Sequence, residues 1–317
     1  HLYTSKDLYN WDDQGVVLRS IPVSEADYGK DQEDGYTADL SIFEDDEYFA
    51  ELYGDYAGKD SDYPDLYSSK LEETYWNLAN DRCVMERPKV IYNESTGKYV
   101  MWFHADGRTP QSNADYGKAL AGVAIADNPA GPFKLLGTYL LCSDDDAHNS
   151  VSNQWDKEGG HVRDMNLFVD DKDEKGKAQA YVMYSSEANA VMYVAKLNDS
   201  YTGLAKDASK MVLNEDFGIS STDSREAPAM FKYQGKYYLI TSGCSGWAPN
   251  QARYAVADNP LGPWTNKGDP CVGDSAGNTF SSQSTCVIPV DAENGKFIYM
   301  GDHWTDDNTN NLSAHPT

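Results

Sequence analysis

Four polar residues of the types used in acid–base chemistry precede four similar turns of the chain. Each stands 9 to 12 residues before a Gly-Lys pair, and the four are Glu86, Asp164, Glu226 and Gln283. Crowding of carboxyl groups raises the pKa of at least one of them, through lost solvation and like-charge repulsion, and can keep it protonated near neutrality. If the four converge, the set predicts a general acid with other carboxyl groups and an amide beside it.

The Gly-Lys pairs mark a structural repeat. They are 79, 59 and 60 residues apart, and each is followed by a run of β-branched and aromatic residues. Short strands around Gly turns at such a period are typical of propeller blades. The runs are Tyr99–Phe103, Tyr181–Tyr184, Tyr237–Ile240 and Phe297–Met300.

The predicted outer strands repeat as well. Ala124–Phe133 and Ala255–Trp264 share the pattern Ala-X-Ala-Asp-Asn-Pro-X-Gly-Pro-aromatic, with weaker copies at Val194–Tyr201 and Leu2–Trp11. The last copy belongs to the outer half of a blade, yet it stands at the start of the chain. Four blades and this remnant make five. We therefore expect an all-β fold, a five-bladed β-propeller forming a single domain over residues 1–317, truncated at both ends.

A propeller arranges equivalent positions of its blades around one axis, so the four polar residues are expected to face one another across a shallow pocket. Cleavage of a glycosidic bond uses such a set. One group protonates the leaving oxygen while water or a carboxylate attacks the anomeric carbon from the other face. The second strands return to the same rim and add candidate sugar-contacting residues, namely His104, Glu187, Trp247 and Asp302–Trp304.

The alternative is that each acid is a solvated residue at a strand start that pairs with a neighbouring arginine. Glu86 has Arg87 beside it, and Asp164 has Arg163. This alternative explains any one of the four residues, whereas the common register of all four favours a functional site.

The charge of the chain limits its partners. Its formal net charge is −25 and its pI is about 4.4, which argues against nucleic acid and anionic membrane surfaces as partners. No run of apolar residues approaches the 18 or so that a membrane span needs. The five cysteines show no Cys-X-X-Cys spacing, so neither a zinc site nor a redox motif is predicted. A neutral or cationic ligand is more compatible with the negative charge of the chain than a polyanion. The 23 Tyr and 7 Trp are a source of aromatic rings that stack on sugars.

Residues 24–80 interrupt the repeat. This insertion holds 17 Asp and Glu against 3 Lys, together with 8 Tyr. We expect a solvated acidic excursion, with a lid over the pocket as the alternative. Five of its apolar residues are spaced to line one face of a helix, namely Ile42, Phe43, Phe49, Leu52 and Tyr53.

Five segments at the repeated positions carry a resemblance to a known family. They are Glu86–Val90, Arg163–Phe168, Arg225–Ala229, Thr241–Asn250 and Ser282–Thr285. Together they resemble glycoside hydrolase family 43, and most closely its exo-β-1,3-galactanase (galactan 1,3-β-galactosidase) branch. Outside the insertion, the resemblance covers residues 1 to about 304.

The resemblance implies roles for individual residues. Glu226 is the implied general acid of an inverting hydrolysis, and Asp164 is implied to tune its pKa and hold it in place. Most of the family takes its general base from an Asp in the first blade, which this sequence lacks. In the galactanase branch Gln283 is implied to hold the attacking water, through an imidic tautomer or by positioning alone, because an amide is a poor base. Glu86 is implied to bind the terminal galactose, and Tyr116 to line the pocket.

The activity implied by the resemblance is the release of galactose from β-1,3-galactan, or from a β-linked galactose oligosaccharide, by a secreted enzyme without cofactor or metal. One alternative is another specificity of the family, β-xylosidase or α-arabinofuranosidase. Glu86 and Gln283 in place of an Asp base argue against it. The other alternative is a propeller that binds glycans without cleaving them, which an intact Glu226 and Asp164 disfavour.

Overall fold

The structure is a computed structural model, and it describes residues 1–30, 35–141, 160–205, 211–212, 224–305 and 313–316. The chain forms two compact units, His1–Lys157 and Glu158–Thr317. No helix within the described ranges is long and apolar enough to cross a membrane.

Among its described residues, the first unit contains a four-stranded antiparallel sheet, a separate pair of short strands, three α-helices and a short 3-10 helix at Gly54–Tyr56. The sheet has the order β3 (Cys83–Asn93), β4 (Lys98–Gly107), β5 (Leu120–Ala126) and β6 (Lys134–Tyr139). The short pair consists of β1 (Tyr3–Thr4) and β2 (Asp12–Asp13). The helices are α1 (Ile42–Asp45), α2 (Glu47–Tyr53) and α3 (Lys70–Leu78).

The second unit contains three antiparallel sheets whose strands also follow chain order. The first holds β7 (Met165–Val169), β8 (Ala180–Ser186), β9 (Val191–Lys196) and β10 (Met211–Val212). The second holds β11 (Arg225–Tyr233), β12 (Lys236–Gly243), β13 (Arg253–Ala257) and β14 (Thr265–Gly268). The third holds β15 (Gln283–Asp291), β16 (Lys296–Thr305) and β17 (Ser313–Pro316). Strand β11 contacts both β7 and β15, the first strands of the other two sheets.

Each predicted Gly-Lys pair lies at the turn between the first two strands of a sheet. The glycines have φ between 69° and 77°, a left-handed conformation that suits a residue without Cβ, and they are Gly97, Gly176, Gly235 and Gly295. The predicted all-β class and the repeated hairpin are therefore confirmed. Closure of the sheets into one five-bladed propeller, and the single domain over residues 1–317, stay predictions.

The repeated outer segments connect the third strand of a sheet to the fourth. Gly131 and Gly262 both have positive φ there, and both precede a cis-proline. At Gly131 a Cβ atom would lie only 2.6 Å from the carbonyl oxygen of Val17. That oxygen accepts a 2.7 Å hydrogen bond from the amide of Phe133, so glycine lets two chain segments approach closely. The copy at the start of the chain connects the paired strands β1 and β2, without the glycine and the proline.

The prediction of a solvated acidic insertion is wrong, because its aromatic side chains form a core with the sheet of the first unit. Phe49 and Tyr53 have no exposed surface, and they pack with the apolar face of that sheet. Tyrosine hydroxyl groups attach the insertion to β6: Tyr56 donates to the Leu135 carbonyl at 2.8 Å, and Tyr63 donates to the Thr138 carbonyl at 2.6 Å. The predicted apolar face is divided between α1 and α2.

The division between these helices lies at Asp46, which caps α2. Its carboxylate accepts hydrogen bonds from the amides of Tyr48 and Phe49, as an N-cap residue does. It also pairs with Arg19 at 2.8 Å. One of the acidic residues of the insertion is thus structural rather than merely solvating.

We expect Phe49→Ala to lower the free energy of unfolding by about 3–5 kcal/mol, since it removes a fully buried ring and leaves a cavity. Tyr28→Ala is the matched control, because Tyr28 lies in the same insertion with 61% of its surface exposed. Urea denaturation of both variants measures the difference. Equally small changes in the free energy of unfolding at the two positions would instead support a solvated insertion.

Candidate active site

The two Glu-X-Pro segments place their carboxylates by the same backbone device. In β3 the register with β4 shifts between Glu86 and Lys89, and in β11 the register with β12 shifts between Glu226 and Ala229. The middle residue of each segment is left-handed, with φ of 53° at Arg87 and 52° at Ala227. Proline is accommodated in such a bulge, because it has no amide hydrogen to pair and the ladder is interrupted there. Each bulge interrupts the ladder directly after the glutamate and redirects the strand there.

Neutral donors surround the Glu226 carboxylate in the second unit. The amide of Gln283 donates to Oε1 at 2.9 Å. The thiol of Cys244 donates to Oε2 at 3.2 Å, and the amide of Asn189 approaches the same oxygen at 3.4 Å. The acid predicted from the repeat is therefore contacted from β15, from the segment after β12 and from the turn after β8.

The orientation of the Gln283 amide follows from its other partners. Trp304 donates its indole N–H to Oε1 at 2.9 Å, and an indole has only a donor to offer. The NH₂ group must then face the other way, where it donates to Glu226 and, at 2.9 Å, to the hydroxyl of Ser242. Both hydrogens of a buried amide are thus used, which fixes Gln283 beside the acid.

Asp164 reaches the acid through the backbone. Its Oδ2 accepts a 3.1 Å hydrogen bond from the amide of Ala227, the residue that follows Glu226 in the bulge. Two residues further on, the buried amide of Asn166 donates to the carbonyls of Pro228 and Thr285, at 2.8 and 2.9 Å. These contacts hold the bulge of β11 against β7 and β15.

Two turns of left-handed residues adjoin this cluster. Glu187, Ala188 and Asn189 have φ between 46° and 67°, and the run Thr279–Ser281 has φ between 52° and 62°. Side chains with Cβ atoms adopt this conformation at a cost, and such strain collects at functional sites. The first turn supplies Asn189 to Glu226, and the second directly precedes Gln283.

The thiol of Cys244 carries a perturbed pKa. The residue as a whole is exposed, yet partial withdrawal of its sulfur from water raises the pKa well above its ordinary range. The charge of Glu226 and the hydrogen bond to it raise the pKa further, and Asp164 adds to the effect. At neutral pH the group is therefore a thiol that donates to Glu226.

A second acidic cluster lies in the first unit around Glu86. Tyr116 donates to Glu86 Oε1 at 2.7 Å, and His104 Nδ1 lies 3.1 Å from Oε2. The other ring nitrogen of His104 lies 2.9 Å from Asp106 Oδ2. Burial opposes the charge of Glu86, but the hydrogen bonds from His104 and Tyr116 outweigh it and lower the pKa of this carboxyl.

The predicted site residues fall into two groups. Asp164, Glu226 and Gln283 are connected in the second unit, and Glu86 lies with Tyr116 in the first. Trp304 contacts Gln283, and its ring lies 5.0 Å from that of Trp247. Glu187 belongs to the same strained turn as Asn189.

His104 requires a correction. It was expected to contact sugar, but its side chain is 2% exposed and both ring nitrogens contact carboxylates. It therefore supports Glu86 from behind. Sequence reasoning missed the partners Asn189, Ser242 and Cys244, and it also missed Asp106. The signal for Asp106 was the alternation His-Ala-Asp, which places it on the same face of β4 as His104.

Comparison with known proteins shows similarities in sequence and in structure. Residues 88–286 match the family described as Glycosyl hydrolases family 43. Two curated relatives match just over half of the chain: a β-xylosidase of Xylanibacter ruminicola, 29% identical over 57% of this chain, and a xylosidase/arabinosidase of Bacteroides ovatus, 27% identical over 56%. The chain spans about half the length of both relatives, 56% and 55% respectively.

Solved structures resemble more of the chain. A β-1,3-galactosidase with galactodeoxynojirimycin bound is 31% identical, covering 99% of this chain and 80% of its own at a TM-score of 0.65. An exo-β-1,3-galactanase from Phanerochaete chrysosporium, with galactose, is 28% identical over 96% of this chain and 49% of its own, with a TM-score of 0.61. One from Clostridium thermocellum is 32% identical over 74% of this chain and 45% of its own, with a TM-score of 0.57.

We expect Glu226→Gln to lower the pKa of the Cys244 thiol, because it removes the adjacent negative charge. Iodoacetamide should then alkylate Cys244 about threefold faster for each unit of the fall, since a tenfold gain in thiolate is partly offset by weaker nucleophilicity. Peptide mass spectrometry measures the rate. Cys271 is the internal control, because burial and Asp269 raise its pKa and the substitution leaves both unchanged. An unchanged rate at Cys244 would contradict the contact with Glu226.

Proposed function

The chain belongs to glycosyl hydrolases family 43, and we propose that it is an exo-acting enzyme that cleaves β-1,3-galactan. In this proposal it releases galactose from the non-reducing end of the arabinogalactan main chain, with inversion of the anomeric centre. The observation that carries the proposal is the carboxylate of Glu226, held by a neutral amide and a neutral thiol at the start of β11, the first strand of its sheet.

Glu226 is the general acid in this proposal. The donors Gln283, Asn189 and Cys244 are neutral, so a proton gained by Glu226 leaves no unpaired charge on these three groups. The protonated carboxyl group then has an O–H to donate to the glycosidic oxygen. Transfer of this proton lets the rest of the galactan depart as an alcohol while the glycosidic C–O bond breaks.

Asp164 holds the acid in place. Its hydrogen bond to the amide of Ala227 fixes the bulge that carries Glu226, rather than the carboxylate itself. A misplaced proton donor loses much of its effect, because proton transfer needs close approach along the breaking bond. This contact supports the positioning role that the family resemblance implies for Asp164.

The role of Gln283 changes between the free and the sugar-bound protein in this proposal. An inverting enzyme activates water on the face of the sugar opposite its acid, so the two catalytic groups stand about 6.5–9.5 Å apart. Gln283 instead bonds Glu226 directly at 2.9 Å. It therefore fixes the acid in the free protein, and it holds water only after bound sugar has separated the two side chains.

Galactose is the proposed sugar because the structural relatives that cover most of this chain carry that specificity in their names. One contains galactose and another contains galactodeoxynojirimycin. Glu86, held ionised by His104 and hydrogen-bonded to Tyr116, supplies a charged acceptor suited to a sugar hydroxyl group. Galactan is an extracellular polysaccharide, so we also propose that the protein is secreted.

The curated relatives favour a second candidate within the family, β-xylosidase or α-arabinofuranosidase. Their matches reach 57% and 56% of this chain, whereas that of the β-1,3-galactosidase reaches 99% at slightly higher identity. This wider coverage supports galactan as our first candidate. A glycan-binding protein without activity is the candidate from a different class.

Incubated separately with β-1,3-galactan, xylan and arabinan, the protein should release galactose from the galactan alone. Proton NMR at early times should show the α anomer first, because inversion of a β-linkage yields α-galactose before mutarotation mixes the anomers. Glu226→Gln, prepared in parallel, controls for contaminating hydrolases.

Initial release of β-galactose would contradict inversion. Xylose or arabinose as the product would favour the second candidate. No product from any of the three polymers would favour a binding protein.

A further inference from the structure

The Glu86 cluster is connected by hydrogen bonds to the interior of the first unit. Behind Glu86 stands His104, and behind His104 stands Asp106, each with 1% of its surface exposed. Asp106 Oδ1 accepts the backbone amide of Lys118 at 2.7 Å and that of Gly107 at 3.1 Å. Asp106 is thus fixed by two backbone amides on one oxygen, and it presents the other oxygen to His104.

This chain of contacts ends on α3 of the insertion. The buried ammonium group of Lys118 donates to Asn77 Oδ1 at 3.1 Å and approaches the carbonyl of Trp76 at 3.4 Å. Burial lowers the pKa of Lys118 to about 8. The segment Tyr116–Lys118 is therefore held at one end by α3 and at the other by the hydrogen bond from Tyr116 to Glu86.

We propose that Asp106 and His104 are positioning residues that hold Glu86 as an ionised acceptor, oriented for a hydroxyl group of the terminal sugar. Ionised carboxylates only accept hydrogen bonds, so His104 must carry a proton on each ring nitrogen to bond Glu86 and Asp106 together. The inference rests on the proposed function for the identity of the sugar. The hydrogen-bonded relay, by which we mean Glu86, His104 and Asp106, rests on the distances alone.

The charged surroundings of His104 agree with a protonated ring. Burial disfavours its charge, but Asp106 and Glu86 more than compensate and raise the pKa of His104 above its ordinary value. The ring centroid of Tyr116 lies 6.4 Å from that of His104, and among the cations Arg87 acts on Glu86 and Lys118 on Asp106. Loss of one proton as the pH rises would leave a ring nitrogen lone pair facing a carboxylate. Glu86 would then lose the donor to its Oε2, or Asp106 the donor to its Oδ2, and sugar binding should weaken.

Two substitutions of similar shape separate positioning from mere packing. The amide of Asn at position 104 can replace Nδ1, which faces Glu86, and the amide of Gln can replace Nε2, which faces Asp106. We expect His104→Asn to keep most of the galactose affinity and to remove its alkaline decline. We expect His104→Gln to weaken galactose binding about tenfold, because Glu86 loses the donor to its Oε2 and keeps only that of Tyr116 to Oε1.

Calorimetric titration with galactose between pH 5.5 and 9, in a Glu226→Gln background, measures these affinities without turnover. In the otherwise unchanged protein, affinity should fall as the pH passes the pKa of His104. Melting temperatures show whether each variant is folded. Equal losses of affinity for His104→Asn and His104→Gln, with an alkaline decline retained in both, would overturn the proposal.

Nitrogen-15 NMR of the histidine rings tests the relay independently of any sugar. The His104 signals, identified by their absence from His104→Asn, should show two protonated nitrogens at pH 6.5 and a lower titration midpoint in Asp106→Asn. A neutral His104 at that pH would overturn the relay even if galactose binds. If His104 titrates as predicted but galactose does not bind, the relay is supported and the proposed substrate is contradicted.

Discussion

The β-bulge after each Glu-X-Pro carboxylate is the constraint on which both clusters depend. It interrupts regular pairing directly after Glu86 and Glu226 and leaves the next residue left-handed. A bulge is held only if the backbone around it finds other partners. Asp164 and Asn166 supply them for the second unit by bonding the Ala227 amide and the Pro228 carbonyl.

The two glutamates share a backbone position but have different electrostatic surroundings. Glu226 is contacted by neutral donors, from an amide and a thiol, that tolerate the loss or gain of a proton. Glu86 faces the buried ring of His104, which is backed by Asp106, and the pKa of Glu86 is lowered. Two carboxyl groups in such different surroundings are suited to different tasks. One suits proton transfer, and the other suits binding as a fixed charge.

Local rules were sufficient for the features that the sequence predicted well. Gly97 and its three equivalents take left-handed turns that depend only on the missing Cβ, and the strands on either side follow from residue type. Contacts between distant segments were harder to predict. Gln283 and Glu226 are 57 residues apart, and nothing local in the sequence shows that the amide bonds the acid directly. The insertion misled because its many carboxylates outweighed its aromatic and aliphatic residues, which form the buried core there, as Phe49 and Tyr53 do. His104 was placed at the correct strand end, but its burial depends on Asp106 and Glu86 together.

The central claim, that Glu226 donates the proton to the leaving oxygen, is tested most directly by varying the leaving group. A dinitrophenolate departs without protonation, whereas a sugar alkoxide needs a proton. The kcat/KM of Glu226→Gln relative to the unchanged protein should therefore fall by orders of magnitude on β-1,3-galactobiose and by far less on 2,4-dinitrophenyl β-galactoside. Equal losses on the two substrates would contradict the assignment of Glu226 as the acid.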